Sequence, residues 1–108
     1  MRYVVDIDGT ICTSTDGDYT EALPITERIN MVNDLYDQGH TIFYQTARGM
    51  GRHNNDFPKA YEEFYEFTVK QLSSWGVKCH GIFLGKAAGD YYIDDKSLSI
   101  TEFFCEES

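Results

Sequence analysis

Residues 2–10 read Arg2-Tyr3-Val4-Val5-Asp6-Ile7-Asp8-Gly9-Thr10. The run from Arg2 to Ile7 is short, apolar and rich in β-branched residues, and Asp8-Gly9 closes it. This predicts a buried strand that ends in acid. Alternation along a strand puts Asp6 and Asp8 on the same side, where two carboxylates repel unless a cation or a proton lies between them. A divalent metal is the direct remedy.

Working outward, Ser14, Thr15, Asp16, Gly17 and Asp18 lie in a stretch, 11–23, without apolar periodicity, which predicts a loop. Ile25, Ile29, Val32 and Leu35 share one helical face, with Pro24 near the start and Gly39 as the stop. Thr41-Ile42-Phe43-Tyr44-Gln45 is a second buried strand, and Thr46-Ala47-Arg48-Gly49 follows it. The polar, Gly-rich stretch from Gly49 to Pro58 reads as a loop in which Asp56 caps the next helix and His53, Asn54 and Asn55 are solvated. Between Lys59 and Trp75, the residues Tyr61, Phe64, Tyr65, Thr68, Leu72 and Trp75 recur at helical spacing, with Gly76 as the C-terminal cap. Gly81-Ile82-Phe83-Leu84 and Tyr91-Tyr92-Ile93 supply two more strands, and a short last helix carries Ile100, Phe103 and Phe104 inward.

This alternation predicts an α/β fold over residues 1–108: one domain, a mainly parallel sheet of about four strands, and helices on both faces. Open parallel sheets bind ligands beyond the carboxyl ends of their strands. Three of the predicted strand ends carry Asp6 with Asp8, Thr46 with Arg48, and Asp94 with Asp95, while the loop leaving the other carries Lys86. Adding Asp94 or Asp95 to Asp6 and Asp8 makes a set of hard oxygen ligands without sulfur or imidazole, which suits Mg²⁺ better than zinc. Magnesium commonly binds a substrate phosphate as well. Lys86 then supplies a cation for the phosphoryl oxygens, Thr46 a hydroxyl donor, and the backbone N–H groups around Ile7 and Asp8 an anion-holding turn. Asp6 is placed to attack phosphorus and form an acyl-phosphate that water later breaks. Arg48 has two readings of equal standing: a contact to a second anionic group or sugar oxygen, or a surface salt bridge.

Taken in order, Asp6-Ile7-Asp8-Gly9-Thr10 after an apolar strand, Thr46 after the second, Lys86, and Asp94-Asp95 after the last resemble the four motifs of the haloacid dehalogenase superfamily. The resemblance spans the chain from Met1 to about Phe104. It implies a Rossmann-like core, with Asp6 as nucleophile and Asp8 as general acid/base that also offers its carbonyl to magnesium. It further implies that Thr46 and Lys86 hold the phosphoryl group and that Asp94 with Asp95 completes the metal site. A second aspartate two residues after the first is typical of the family's phosphatases and absent from its dehalogenases, so phosphate chemistry is implied. Neither gap between motifs leaves space for a cap domain. The TARG stretch and the closing IDDKS resemble small family members associated with bacterial capsule and surface-polysaccharide synthesis, which implies a phosphorylated sugar as substrate.

Composition narrows the remaining classes. Lys+Arg 9 against Asp+Glu 18 gives a net charge of −9 in 108 residues, which opposes nucleic-acid binding and makes a polynucleotide-end phosphatase the least attractive variant. Cys12, Cys79 and Cys105 are odd in number and lack CxxC spacing, so reduced thiols are expected. No apolar run approaches the roughly 20 residues of a membrane span, and a cytoplasmic protein is the expectation. The aromatic group Phe57, Tyr61, Phe64, Tyr65 and Phe67 exceeds what one helix face buries, and an exposed remainder favours a homo-oligomer. A receiver-like phosphoacceptor module shares the small parallel sheet, the phosphorylatable aspartate, the hydroxyl and the lysine. In such modules, however, the acidic pair comes at the first strand and the acceptor at a central one, the reverse of the order here.

Overall fold

A computed structural model describes residues 1–106. The single domain expected over 1–108 therefore includes Glu107 and Ser108, which lie outside the described residues. Strand β1 (Arg2–Asp6) leads through a long loop, with one 3-10 turn at Tyr19–Glu21, into helix α1 (Thr26–Asp37). Strand β2 (Thr41–Thr46), helix α2 (Phe57–Ser74), strand β3 (Gly81–Leu84) and helix α3 (Ile100–Phe104) follow. The strands are parallel in the order β1-β2-β3, with Val5 beside Tyr44 and Thr46 beside Leu84.

Burial alternates along each strand, and the alternation decides the layering. One sheet face carries Val5, Ile42, Tyr44, Thr46 and Leu84, all buried. A single core joins residues of this face to Ile29 and Val32 of α1, Leu72 of α2 and Phe104 of α3. All three helices thus cover one side. Consecutive strand order with right-handed crossovers puts both connecting helices on the same face, so the expectation of helices on both faces is corrected. The opposite face carries Arg2, Val4, Phe43 and Phe83, with Val4 56% and Phe83 54% exposed.

The sheet has three strands, not about four. Tyr91-Tyr92-Ile93 is irregular chain, and Ile93 is 98% exposed. The reason is length: residues 85–90 are all that separate this segment from β3, whereas a parallel crossover needs a dozen residues or more. Tyr92 spends its hydroxyl locally, donating to the Ala87 carbonyl at 2.7 Å.

The other elements form for the expected reasons. The Asp56 carboxylate accepts the Lys59 N–H and caps α2, while Ser99 and Glu102 form a reciprocal capping box on α3. Phe104 is buried as expected, but Ile100 is exposed. Gly49, at the turn after β2, has φ +79, and a Cβ there would lie 2.5 Å from the Phe64 ring, so only glycine fits. Among the described residues no helix is long and apolar enough to cross a membrane, and the three cysteines are free thiols. No cap is inserted between these elements.

Candidate active site

Asp6 ends β1. Its carboxylate lies 3.4 Å from the Lys86 ammonium, which the loop after β3 delivers across the sheet edge. Burial pushes the Asp6 carboxyl above its ordinary value, opposed first by the charge of Lys86 and then by the Ile7 backbone N–H. The side chain of Ile7 is fully enclosed in the core, so this residue reaches the site only through its amide, as its place in the anion-holding turn requires. Beyond it the backbone doubles back, with the Thr10 and Ile11 N–H groups both donating to the Ile7 carbonyl at 3.0 Å.

Lys86 is held from two further sides. Its backbone N–H donates to the Thr46 carbonyl at 3.2 Å, and its ammonium lies 4.0 Å from the centre of the Tyr92 ring. The sequence signal for that cation–π contact is an aromatic six residues downstream, which does not by itself fix the ring over the ammonium. Thr46 closes β2 almost fully buried, and its Oγ1 accepts the Arg48 backbone N–H at 3.0 Å.

Asp8 is gripped from beneath. Arg48 Nε donates to Asp8 Oδ2 and Nη2 to Oδ1, both at 3.0 Å, a two-pronged pair. The Cys12 thiol points at the same Oδ1 from 3.6 Å, and burial, with Asp8 as the next cause, pushes that thiol up to about 12. Arg48 is among the most enclosed side chains of the molecule. Arg48 thus forms a salt bridge, as one of its two sequence readings has it, but with Asp8 in an enclosed setting and not at the surface, and its guanidinium does not line the cavity beside Asp6 as a contact to a second anionic group or sugar oxygen would require. Strand spacing alone does not report depth, and a TARG stretch after a strand looks the same whether its arginine turns out or in.

Asp94 lines the same cavity as Asp6, Lys86 and Thr10, a space of about 840 Å³ between β1 and the 91–104 segment. Its carboxylate accepts the Lys96 N–H at 2.9 Å, which holds the carboxyl below its usual range. Asp95 does not line the cavity. Among the described residues no group of three or more carboxylates, imidazoles and thiols is gathered closely enough to hold a metal. The structure therefore pairs Asp6 with Lys86, ties Lys86 to Thr46 through the main chain, and ties both Thr46 and Asp8 to Arg48. Asp6 and Lys86 share their cavity with Asp94, whereas Asp8, Thr46 and Asp95 do not line it. The chemistry of the donors still fits Mg²⁺: Asp6 and Asp94 present hard oxygens to one space whose lining contains no thiol or imidazole. A separate cavity of about 440 Å³ lies between the 16–20 loop and α2, and none of the predicted site residues lines it.

No protein-family model matches the chain, and no curated protein matches it. Two solved structures resemble it. An MCSG target from Vibrio cholerae superposes with a TM-score of 0.88 at 26% identity, over 98% of this chain and 89% of that one. The D,D-heptose 1.7-bisphosphate phosphatase of B. bronchiseptica, complexed with magnesium and phosphate, superposes with a TM-score of 0.55 at 17% identity. That match covers 82% of this chain and 51% of the phosphatase, and it is a likeness of fold.

Proposed function

We propose that the chain is a magnesium-dependent phosphomonoester hydrolase of the haloacid dehalogenase type, acting through an aspartyl-phosphate on a small phosphorylated substrate, a phosphosugar first, in the cytoplasm. The observation that carries this reading is the pairing of Asp6 with Lys86 at 3.4 Å beside Thr46 and Asp8, assembled from all three strand ends. The fold likeness to a phosphatase crystallised with magnesium and phosphate supports it.

Asp6 Oδ attacks phosphorus, its bond to phosphorus forms as the ester P–O bond breaks, and the leaving oxygen takes a proton from Asp8. Water then attacks the same phosphorus and gives a proton to Asp8. The Asp6–phosphorus bond breaks, releasing inorganic phosphate. Lys86 neutralises phosphoryl oxygens throughout, and its release from Asp6 toward the substrate frees the nucleophile. Asp6, the Asp8 carbonyl and Asp94 would hold Mg²⁺, which when bound neutralises phosphoryl charge.

Purified protein assayed with p-nitrophenyl phosphate and a panel of phosphosugars in Mg²⁺ should release phosphate over many turnovers. EDTA should stop release, and added Mg²⁺ should restore it. Asp6→Asn should lose on the order of 10⁴-fold or more in kcat. Wild-type rates in Asp6→Asn would end the nucleophile assignment, and a single stoichiometric phosphorylation without turnover would favour the phosphoacceptor reading.

A further inference from the structure

The enclosure of Arg48 calls for a use, because a buried guanidinium is retained only where partners compensate its lost hydration. Every nitrogen of the group has one. Nε and Nη2 grip the two oxygens of Asp8, and Nη1 donates to Thr68 Oγ1 of α2 at 3.3 Å. Tyr19 and Phe67 pack on its faces, with ring centres 4.8 Å and 5.9 Å away. The main chain of the same residue donates to the Thr46 hydroxyl, which leaves that hydroxyl's proton to point elsewhere. One residue thus orients two groups of the candidate site while its own side chain is 0% exposed.

We infer that Arg48 is a positioning residue: anchored on α2 through Thr68, it fixes the Asp8 carboxylate in one rotamer so that an oxygen faces the bond being broken. The inference rests on the phosphatase reading. Arg48 takes no proton and touches no substrate. A misplacement of about 1 Å in a reacting group costs on the order of 10²-fold in rate, so its effect should fall on the chemical step and leave binding alone.

The test uses p-nitrophenyl phosphate with Mg²⁺. Arg48→Lys keeps the charge but loses the fork, and should lower kcat by about 10- to 100-fold with KM within about twofold of wild type. Thr68→Val leaves Arg48 in place with one anchor gone, and should give a smaller kcat loss of the same kind; it serves if Arg48→Lys does not fold. In an Asp8→Asn background, Arg48→Lys should cost nothing further in kcat, since its effect passes through Asp8; a purely structural role would give additive losses. A raised KM with unchanged kcat, or additive losses, would overturn the positioning role while leaving the phosphatase reading intact. A wild type without turnover would remove both.

Discussion

Asp6, the proposed nucleophile, carries a cost to the fold. Burial, the largest influence on its carboxyl, raises the pKa from 3.8 despite the adjacent Lys86. A carboxyl with a raised folded pKa favours the folded state below the unfolded value, and this contribution is lost as pH rises through the folded one. At neutral pH ionised Asp6 is therefore a liability. Asp6→Asn should raise Tm at pH 7 in EDTA, and the gain should close as pH falls toward 3.8. Thermal melts of both proteins at pH 7 and pH 4 check this; an Asn variant less stable at pH 7 would show that the Lys86 pair outweighs burial.

At the scale of elements, α2 anchors the site and α3 closes the core. Leu72 lies on the buried stripe of α2 with Ala60, Phe64 and Thr68, one of which holds Arg48. Leu72→Ala should cost about 2–5 kcal/mol, read as a lower urea midpoint with an unchanged slope. Helix α3 has only five residues, too few to hold itself, and it docks through Phe104 and a latch. Arg28 of α1 donates Nη2 and Nε to the two oxygens of Glu106, at 2.6 and 2.9 Å, over the Phe104 ring. The Arg28 hydrogen bond, as the largest cause, holds the Glu106 carboxyl below its ordinary 4.5, so the latch stabilises the fold above that value and is lost as pH falls through the lowered one. Glu106→Gln should thus lower Tm at pH 7, and the difference should close as pH falls through the lowered value. A difference that persists in acid would mean that the latch is not ionic.

For the whole molecule, the consequence of one-sided layering is an uncovered sheet face. Parallel sheets are ordinarily buried on both faces, yet Val4 and Phe83 are exposed here, and Asp6 ends the same face. We expect a second copy of the chain to cover it, which would also screen Asp6 from water. Light scattering at micromolar concentration should give a dimer or larger mass for wild type and a monomer for Val4→Lys with Phe83→Lys. A monomeric wild type would retire the expectation.

Within the described residues, the apolar runs and periodicities of the sequence by themselves determined three strands, three helices and the placing of Asp6, Thr46 and Lys86 at one sheet edge. Side-chain alternation and helical spacing are local properties that survive into the fold. Local pattern does not count the residues a crossover needs against those present, which is why Tyr91-Tyr92-Ile93 reads as a strand and is not one. Nor does it report depth. Tertiary packing alone decided that Arg48 turns inward to Asp8 and that all the helices share one side, because each depends on segments far apart in the chain competing for the same space.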